Sequence, residues 1–329
     1  MRSPRSRAKH LGVPERFAVD LAAIEEAAKR IEGLAHRTPV ETCATLDRMA
    51  GRSLFLKCEQ LQRIGAFKFR GACNAVRKLP AQVAARGVVT HSSGNHAQAL
   101  ALAAKMRGIP AHVVMPSNAP SVKRRAVLGY GARVVDCEPT LEARESMAAA
   151  VIAETGAHFV PPYDHPDVIA GQGTVALELL AQVPGLDALV APVGGGGLLS
   201  GVCITAKALL PGIRVYGAEP LGADDAARSK RAGRLMPQTE PKSIADGLLT
   251  SLGELTWPVV RDLVDDVVPV TEEEIVLAMR LAWERAKQLI EPSAAVALAV
   301  AMGPALAGSH RVGVILSGGN VDLDRLPWS

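Results

Sequence analysis

The 329 residues suffice for about two domains of ordinary size, and a 48% hydrophobic content supplies a sizeable core and excludes wholesale disorder. The net charge of +4 points to a nucleic-acid partner only until it is located: Arg2, Arg5, Arg7 and Lys9 crowd the first ten residues without an acid, and the rest of the chain is neutral. Aromatics at 3% are too few for base-stacking platforms, while 30 glycines make close backbone approach a recurring theme.

Apolar spacing predicts a helix over Leu21–Ile31. From Leu54 onward, short β-branched runs alternate with Ala-rich amphipathic stretches. Strands are expected at Leu54–Leu56, Gly87–Thr90, His112–Met115, Arg133–Cys137, Leu189–Val193, Val215–Ala218, Val267–Val270 and Val312–Leu316. Helices are expected at Ala97–Met106, Ser121–Leu128, Leu141–Thr155, Val175–Gln182, Leu198–Leu210 and Glu273–Leu289. Such alternation indicates βαβ units and mostly parallel sheet, as one (β/α)8 barrel or two doubly wound domains. Glycine clusters at 194–197 and 318–319 directly follow strands, which puts backbone-lined pockets at strand carboxyl ends.

The longest uncharged apolar stretch, Ala294–Gly308, is too short to span a bilayer, and no secretory leader follows the basic tail. Cys43, Cys58, Cys73, Cys137 and Cys203 form no CxxC pair, which argues against a disulfide framework and a zinc site. A reduced, cytoplasmic protein is the expectation.

Four clusters carry chemistry. In the first, Leu189–Val193 runs into Gly194-Gly195-Gly196-Gly197 and then Leu198 and an apolar helix. Four glycines let successive N–H groups converge on one anion, and the helix dipole adds positive charge, so phosphate can be held without lysine or arginine. A flexible linker is the alternative, but it is out of place between a buried strand and a helix. In the second, Lys68 stands among apolar residues at a predicted helix start, where dipole and burial both disfavour its ammonium form. A depressed amine suits Schiff-base chemistry; taken alone, Lys68 reads more simply as a solvated helix lysine. The third cluster, Ser92-Ser93-Gly94-Asn95-His96, sets hydroxyls and an amide at a helix N-terminus, which suits a carboxylate ligand, although a plain N-cap explains one serine. In the fourth, Ser317-Gly318-Gly319-Asn320, a hydroxyl at a strand end can bond a neutral aromatic nitrogen, or the segment is a turn.

Together these describe a pyridoxal phosphate site. The chain resembles the fold-type II pyridoxal phosphate enzymes, specifically the serine/threonine dehydratase and serine racemase family. The resemblance rests on Gly65-Ala66-Phe67-Lys68-Phe69-Arg70-Gly71-Ala72, Ser92 to His96, Ala170-Gly171-Gln172-Gly173-Thr174, the tetraglycine run, Ala245-Asp246-Gly247 and Ser317 to Asn320, in family order from about residue 20 to 323.

The resemblance implies an α/β fold of two domains, each an open, mostly parallel twisted sheet flanked by helices (tryptophan synthase β-like). Residues 1–82 plus 165–329 would form the large cofactor-binding domain, and 83–164 a small mobile one that closes over substrate. Lys68 would carry the cofactor and remove the α-proton, with Ser93 as the second acid/base. Phe67 would pack beside the ring, Asn95 would bond its phenolic oxygen, and Ser317 would face its nitrogen. Gly194, Gly195, Gly196, Gly197 and Leu198 would hold the phosphate, and Ser92, Ser93, Gly94, His96, Arg144 and Gly247 would surround the substrate. Arg144 reads almost as well as part of a solvated helix face. Glu219, Ala223 and Asp225 resemble a divalent-cation site for Mg2+, Ca2+ or Mn2+; the alternative is an acidic first turn of a helix. The implied reaction is elimination of water from L-threonine or L-serine, with serine racemisation or threo-3-hydroxyaspartate dehydration as alternatives, by a homodimer without nucleic-acid or membrane partners. Two departures stand out: Ala66 replaces a common serine and Ile64 a common threonine. The chain also ends soon after Asn320, so no C-terminal regulatory domain is expected.

Overall fold

A computed structural model describes residues 17–119 and 121–328. The basic tail, Arg2 to Lys9, lies outside the described residues. Among the described residues ten strands form two separate sheets, which excludes the single barrel. They are β1 (Val40–Glu41), β2 (Ser53–Cys58), β3 (Val88–His91), β4 (Ala111–Pro116), β5 (Arg133–Cys137), β6 (His158–Phe159), β7 (Ala188–Pro192), β8 (Arg214–Pro220), β9 (Asp266–Val270) and β10 (Arg311–Leu316). The larger sheet runs β1-β2-β10-β7-β8-β9 and is parallel except for the β1–β2 pair; the smaller runs β5-β4-β3-β6 and is parallel throughout. All eight strands expected from sequence are present. The two missed, β1 and β6, are two residues long and carry no readable periodicity.

Parallel sheets bury both faces, so their strands read as continuous apolar runs whose residues nonetheless alternate between two cores. In β7, Leu189 and Ala191 join a core with the helices Leu21–Ile31, Pro166–Gln182 and Gly197–Leu209, while Ala188 and Val190 join the opposite core with Glu272–Leu281 and Pro292–Met302. The smaller sheet does the same: Val88 and Val113 face the helices Lys68–Lys78 and Asn95–Arg107, and Val89 and Val114 face Leu141–Thr155.

Helices at Ala44–Ala50, Ala81–Ala84, Asp225–Ala232, Trp257–Asp262 and Pro292–Met302 are not among those expected from sequence, and two of the expected helices differ in extent. Pro166–Gln182 begins well before Val175, because Gly171 and Gly173 serve helix packing and not a break. A Cβ on Gly171 would lie 2.6 Å from the Gly71 Cα, and one on Gly201 would lie 2.5 Å from the Gly173 nitrogen. The helix begun at Glu272 ends at Leu281, followed by a π turn to Ala286 and Lys287 at φ 58°.

Candidate active site

The segment leading to Lys68 is held from outside. Ile64 and Gly65 adopt left-handed backbone, at φ 59° and 72°. That conformation is strained for a β-branched residue, so it persists only where the surroundings impose it. Here the Asn320 amide donates to the Ile64 carbonyl at 2.7 Å, and a Cβ on Gly65 would fall 2.7 Å from Asn320 Oδ1. Ala66 then bridges to Gly318, and the Phe67 N–H donates to the Ser317 carbonyl at 3.0 Å. The turn therefore hangs from the end of β10 and delivers Lys68 as the first residue of its helix.

Lys68 Nζ donates to the Pro162 carbonyl at 2.7 Å and sits 5.2 Å from the centre of the Phe67 ring. Lys68 keeps part of its surface open, yet burial lowers its pKa to about 8 against the partial opposition of the Glu291 charge. Two residues on, buried Arg70 anchors the helix: it bonds both Glu59 oxygens at 2.8 Å and both Glu178 oxygens at 2.7 and 2.8 Å. Buried Lys57 joins the same Glu178 at 2.7 Å.

Gly194 to Gly197 are buried between β7 and the helix Gly197–Leu209, whose first N–H groups have no intrahelical acceptor. A Cβ would meet the Leu248 backbone from Gly194, the Tyr163 ring from Gly195, and Thr256 from Gly196, which takes φ 87°. No side chain fits on this loop. The loop itself presents only backbone, the kind of surface a phosphate cradle uses.

After β3, the Ser92 N–H donates to Val114 and the Gly94 N–H to Ser92 Oγ at 3.3 Å; Ser92, Ser93, Gly94 and Asn95 are all half-buried. Asn95 spans the two sheets: its amide donates to Glu291 Oε1 at 2.8 Å, and its oxygen accepts from Asn320 at 2.8 Å. His96 is buried, with Nε2 3.0 Å from the Val160 carbonyl and Nδ1 without a partner. Burial, and secondarily the Lys68 charge, push its pKa down to about 3, so its ring is neutral. Ser317 is buried at the end of β10.

Contacts thus link Phe67, Lys68, Asn95, Ser317 and the glycine loop through Pro162, Tyr163 and Glu291. Arg144 is not drawn in: its guanidinium donates to the Thr140 carbonyl of its own helix start at 3.2 Å. Gly247 is exposed, with its N–H bonded to Ser293 Oγ at 3.0 Å. A separate cavity of about 400 Å3, bounded by Lys29, Glu32, Arg37, Thr174 and Glu178, contains none of these site residues.

Near the end of β8, Glu219 is fully buried and accepts from the Ala226 and Ala227 N–H groups at 2.9 Å. Asp225, also fully buried, accepts from the Leu252 N–H, while its Oδ1 has no partner. Two buried carboxylates, one with an oxygen that has no partner among the described residues, fit a hard metal ion. Among the described residues no three His, Cys, Asp or Glu side chains converge, so the third ligand would have to come from backbone, such as the Ala223 carbonyl.

Sequence reasoning missed Glu291, Pro162, Tyr163, Asp164 and Thr256. The signal for Glu291 was its position, a lone acid between Ile290 and Pro292 before an apolar helix. Burial, then the Asp246 charge, raise its pKa to about 8.

A desolvated lysine at a helix start, a side-chain-free glycine loop and a strand-end serine, on two mostly parallel sheets, define a cofactor-dependent α/β enzyme. A family profile described as "Pyridoxal-phosphate dependent enzyme" matches residues 31–318, and the chain belongs to this family. Among individual proteins, it is similar to the serine racemase of Arabidopsis thaliana, 53% identical over 318 residues, covering 95% of this chain and 96% of that one. The solved structure of maize serine racemase superimposes with a TM-score of 0.92 at 50% identity, covering 94% and 95% of the two chains. The solved T.th. threonine deaminase superimposes with a TM-score of 0.89 at 44% identity, covering 93% and 100%.

Proposed function

We propose that the chain is a pyridoxal phosphate-dependent serine racemase, interconverting L- and D-serine and eliminating water from serine as a second outcome. The observation that carries the reading is Lys68, its amine shifted to about 8 and its turn tied through Phe67 to Ser317. The choice of racemase over the dehydratase expected from sequence is supported by serine racemase relatives at 53% and 50% identity, against 44% for the threonine deaminase. Both reactions begin with removal of the α-proton; they differ in whether a proton returns to the other face or the β-hydroxyl leaves.

Bound pyridoxal phosphate supplies a carbonyl that captures the substrate amine and a ring that accepts the electrons released at the α-carbon. Gly194 to Gly197 and the Leu198 N–H would hold its phosphate, Phe67 would pack beside its ring, and Asn95 would bond its phenolic oxygen. A hydroxyl at Ser317, unlike a carboxylate, would leave the ring nitrogen neutral. Lys68 Nζ would hold the α-proton on one side and the Ser93 hydroxyl would exchange one on the other. Ser92, Gly94 and neutral His96 would receive the substrate carboxylate, with Arg144 and Gly247 reaching the substrate on closure. That closure would bring residues 83–164 over the cofactor-binding remainder, 1–82 and 165–329, excluding water. Glu219, Ala223 and Asp225 would bind Mg2+, Ca2+ or Mn2+. A homodimer in the cytoplasm completes the proposal; among the described residues no helix is long and apolar enough to cross a membrane.

The test is a product assay on L-serine, D-serine, L-threonine and threo-3-hydroxyaspartate. D-serine forming from L-serine, and the reverse, is the expected result. Pyruvate without any D-serine would return the chain to the dehydratases.

A further inference from the structure

We infer that Thr256 and Asp164 are positioning residues for the glycine loop and set how tightly it holds the phosphate of pyridoxal phosphate. The inference rests on the proposed cofactor. Thr256 is fully buried; its hydroxyl donates to the Gly195 carbonyl at 2.8 Å and accepts from the Gly253 N–H at 2.9 Å. The peptide group is planar, so drawing the Gly195 C=O toward Thr256 turns the Gly196 N–H the opposite way. One hydroxyl thus orients a donor in a loop whose glycines would otherwise sample many conformations.

Asp164 fixes Thr256 in turn. Its carboxylate accepts the N–H groups of Glu254 and Leu255 at 3.0 Å and of Thr256 at 3.3 Å. Its neighbours reach the other half of the site. The Tyr163 ring lies against Gly195, where a Cβ would fall 2.3 Å from the ring, and the Pro162 carbonyl accepts from Lys68. Three consecutive residues therefore touch the lysine, the anion loop and the turn that carries Thr256. A loop ordered in advance loses less entropy on binding an anion than one that must be ordered by it.

The experiment is titration of cofactor-free protein with pyridoxal phosphate, followed by absorbance, together with the 31P chemical shift of the bound phosphate. Thr256→Val keeps the shape and removes the hydroxyl; Thr256→Ser restores it. Thr256→Val is expected to weaken binding about tenfold or more and move the 31P signal toward that of free cofactor. Thr256→Ser is expected to stay within about twofold of the unmodified protein, because the same hydrogen bonds reform. Asp164→Asn, which keeps one acceptor oxygen, is expected to weaken binding to a lesser degree and serves where Thr256→Val does not fold. Unchanged affinity and 31P shift in Thr256→Val, or in Asp164→Asn where that variant stands in, would overturn the inference while leaving the proposed function intact. Unmodified protein that binds no pyridoxal phosphate would overturn both.

Discussion

The Lys68 amine donates to the Pro162 carbonyl at 2.7 Å, so the lysine is held toward the glycine loop by a backbone oxygen and not by a carboxylate partner. No adjacent anion offsets desolvation in full, and the pKa falls from 10.5 to about 8. Attachment of pyridoxal phosphate to cofactor-free protein requires the neutral amine. Its rate is therefore expected to rise with pH and level off above about 8, as stopped-flow absorbance would show. Lys68→Ala is expected to abolish covalent attachment. A rate still climbing toward pH 10 would contradict the assigned environment.

Arg70 is the second quantity to test. It is fully buried and bonds four carboxylate oxygens of Glu59 and Glu178. Arg70→Ala leaves two carboxylates short of their partner, and removing one member of a buried ion network costs about 3–5 kcal/mol. Arg70→Lys is expected to recover only part, because one ammonium cannot reproduce the guanidinium fork. Urea unfolding measures both. A loss below about 1 kcal/mol for Arg70→Ala, the scale of an exposed pair, would show that Lys57 or water neutralises the cluster.

The two sheets are legible in sequence because buried parallel strands are short, apolar and β-branched: Arg133–Cys137 has the ends its sequence predicts, and the strand at Val312 ends at Leu316 as expected. Strands of two residues are not legible, nor is the helix start at Pro166, where glycines that serve packing look like a break. In the site, the motif residues next to strand ends can be located from sequence because local order places them. Glu291, Asp164 and Thr256 cannot. The bonds that bring them to the site, Thr256–Gly195, Asp164–Leu255 and Asn95–Glu291, span 61 or more positions of chain, and nothing local marks the partner.

Glu291 gives a pH-dependent prediction. Its carboxyl is raised from 4.5 to about 8 in the fold, chiefly by burial and then by Asp246, with Lys123, Asn95 and Asn320 acting the other way. A group raised in the folded state contributes stability that is full below its unfolded value and is lost as pH rises through the folded one. The unmodified, cofactor-free protein is thus expected to lose stability between pH 4.5 and about 8 relative to Glu291→Gln, which cannot ionise. The melting-temperature difference, variant minus unmodified, should become more positive across that window. A difference independent of pH would mean that Glu291 titrates normally.

The proposed cation site makes the last prediction. Glu219 and Asp225 are both fully buried, their hydrogen bonds come from backbone N–H groups, and Asp225 Oδ1 has no partner. A divalent cation there would bind the folded chain and not the unfolded one. At a hundredfold excess over its dissociation constant it would add about 2.7 kcal/mol, a shift of several degrees for a chain of this size. EDTA is accordingly expected to lower the melting temperature, and Mg2+, Ca2+ or Mn2+ to restore it. In Glu219→Gln neither addition should matter, because the neutral amide removes half of the anionic charge that holds the ion. The half-buried Asp224 beside the site is already engaged with Arg228 at 2.8 Å and does not substitute for Glu219. An unmodified protein whose melting temperature ignores both EDTA and added cations would remove Glu219, Ala223 and Asp225 from the functional residues and leave two desolvated carboxylates with a purely structural role.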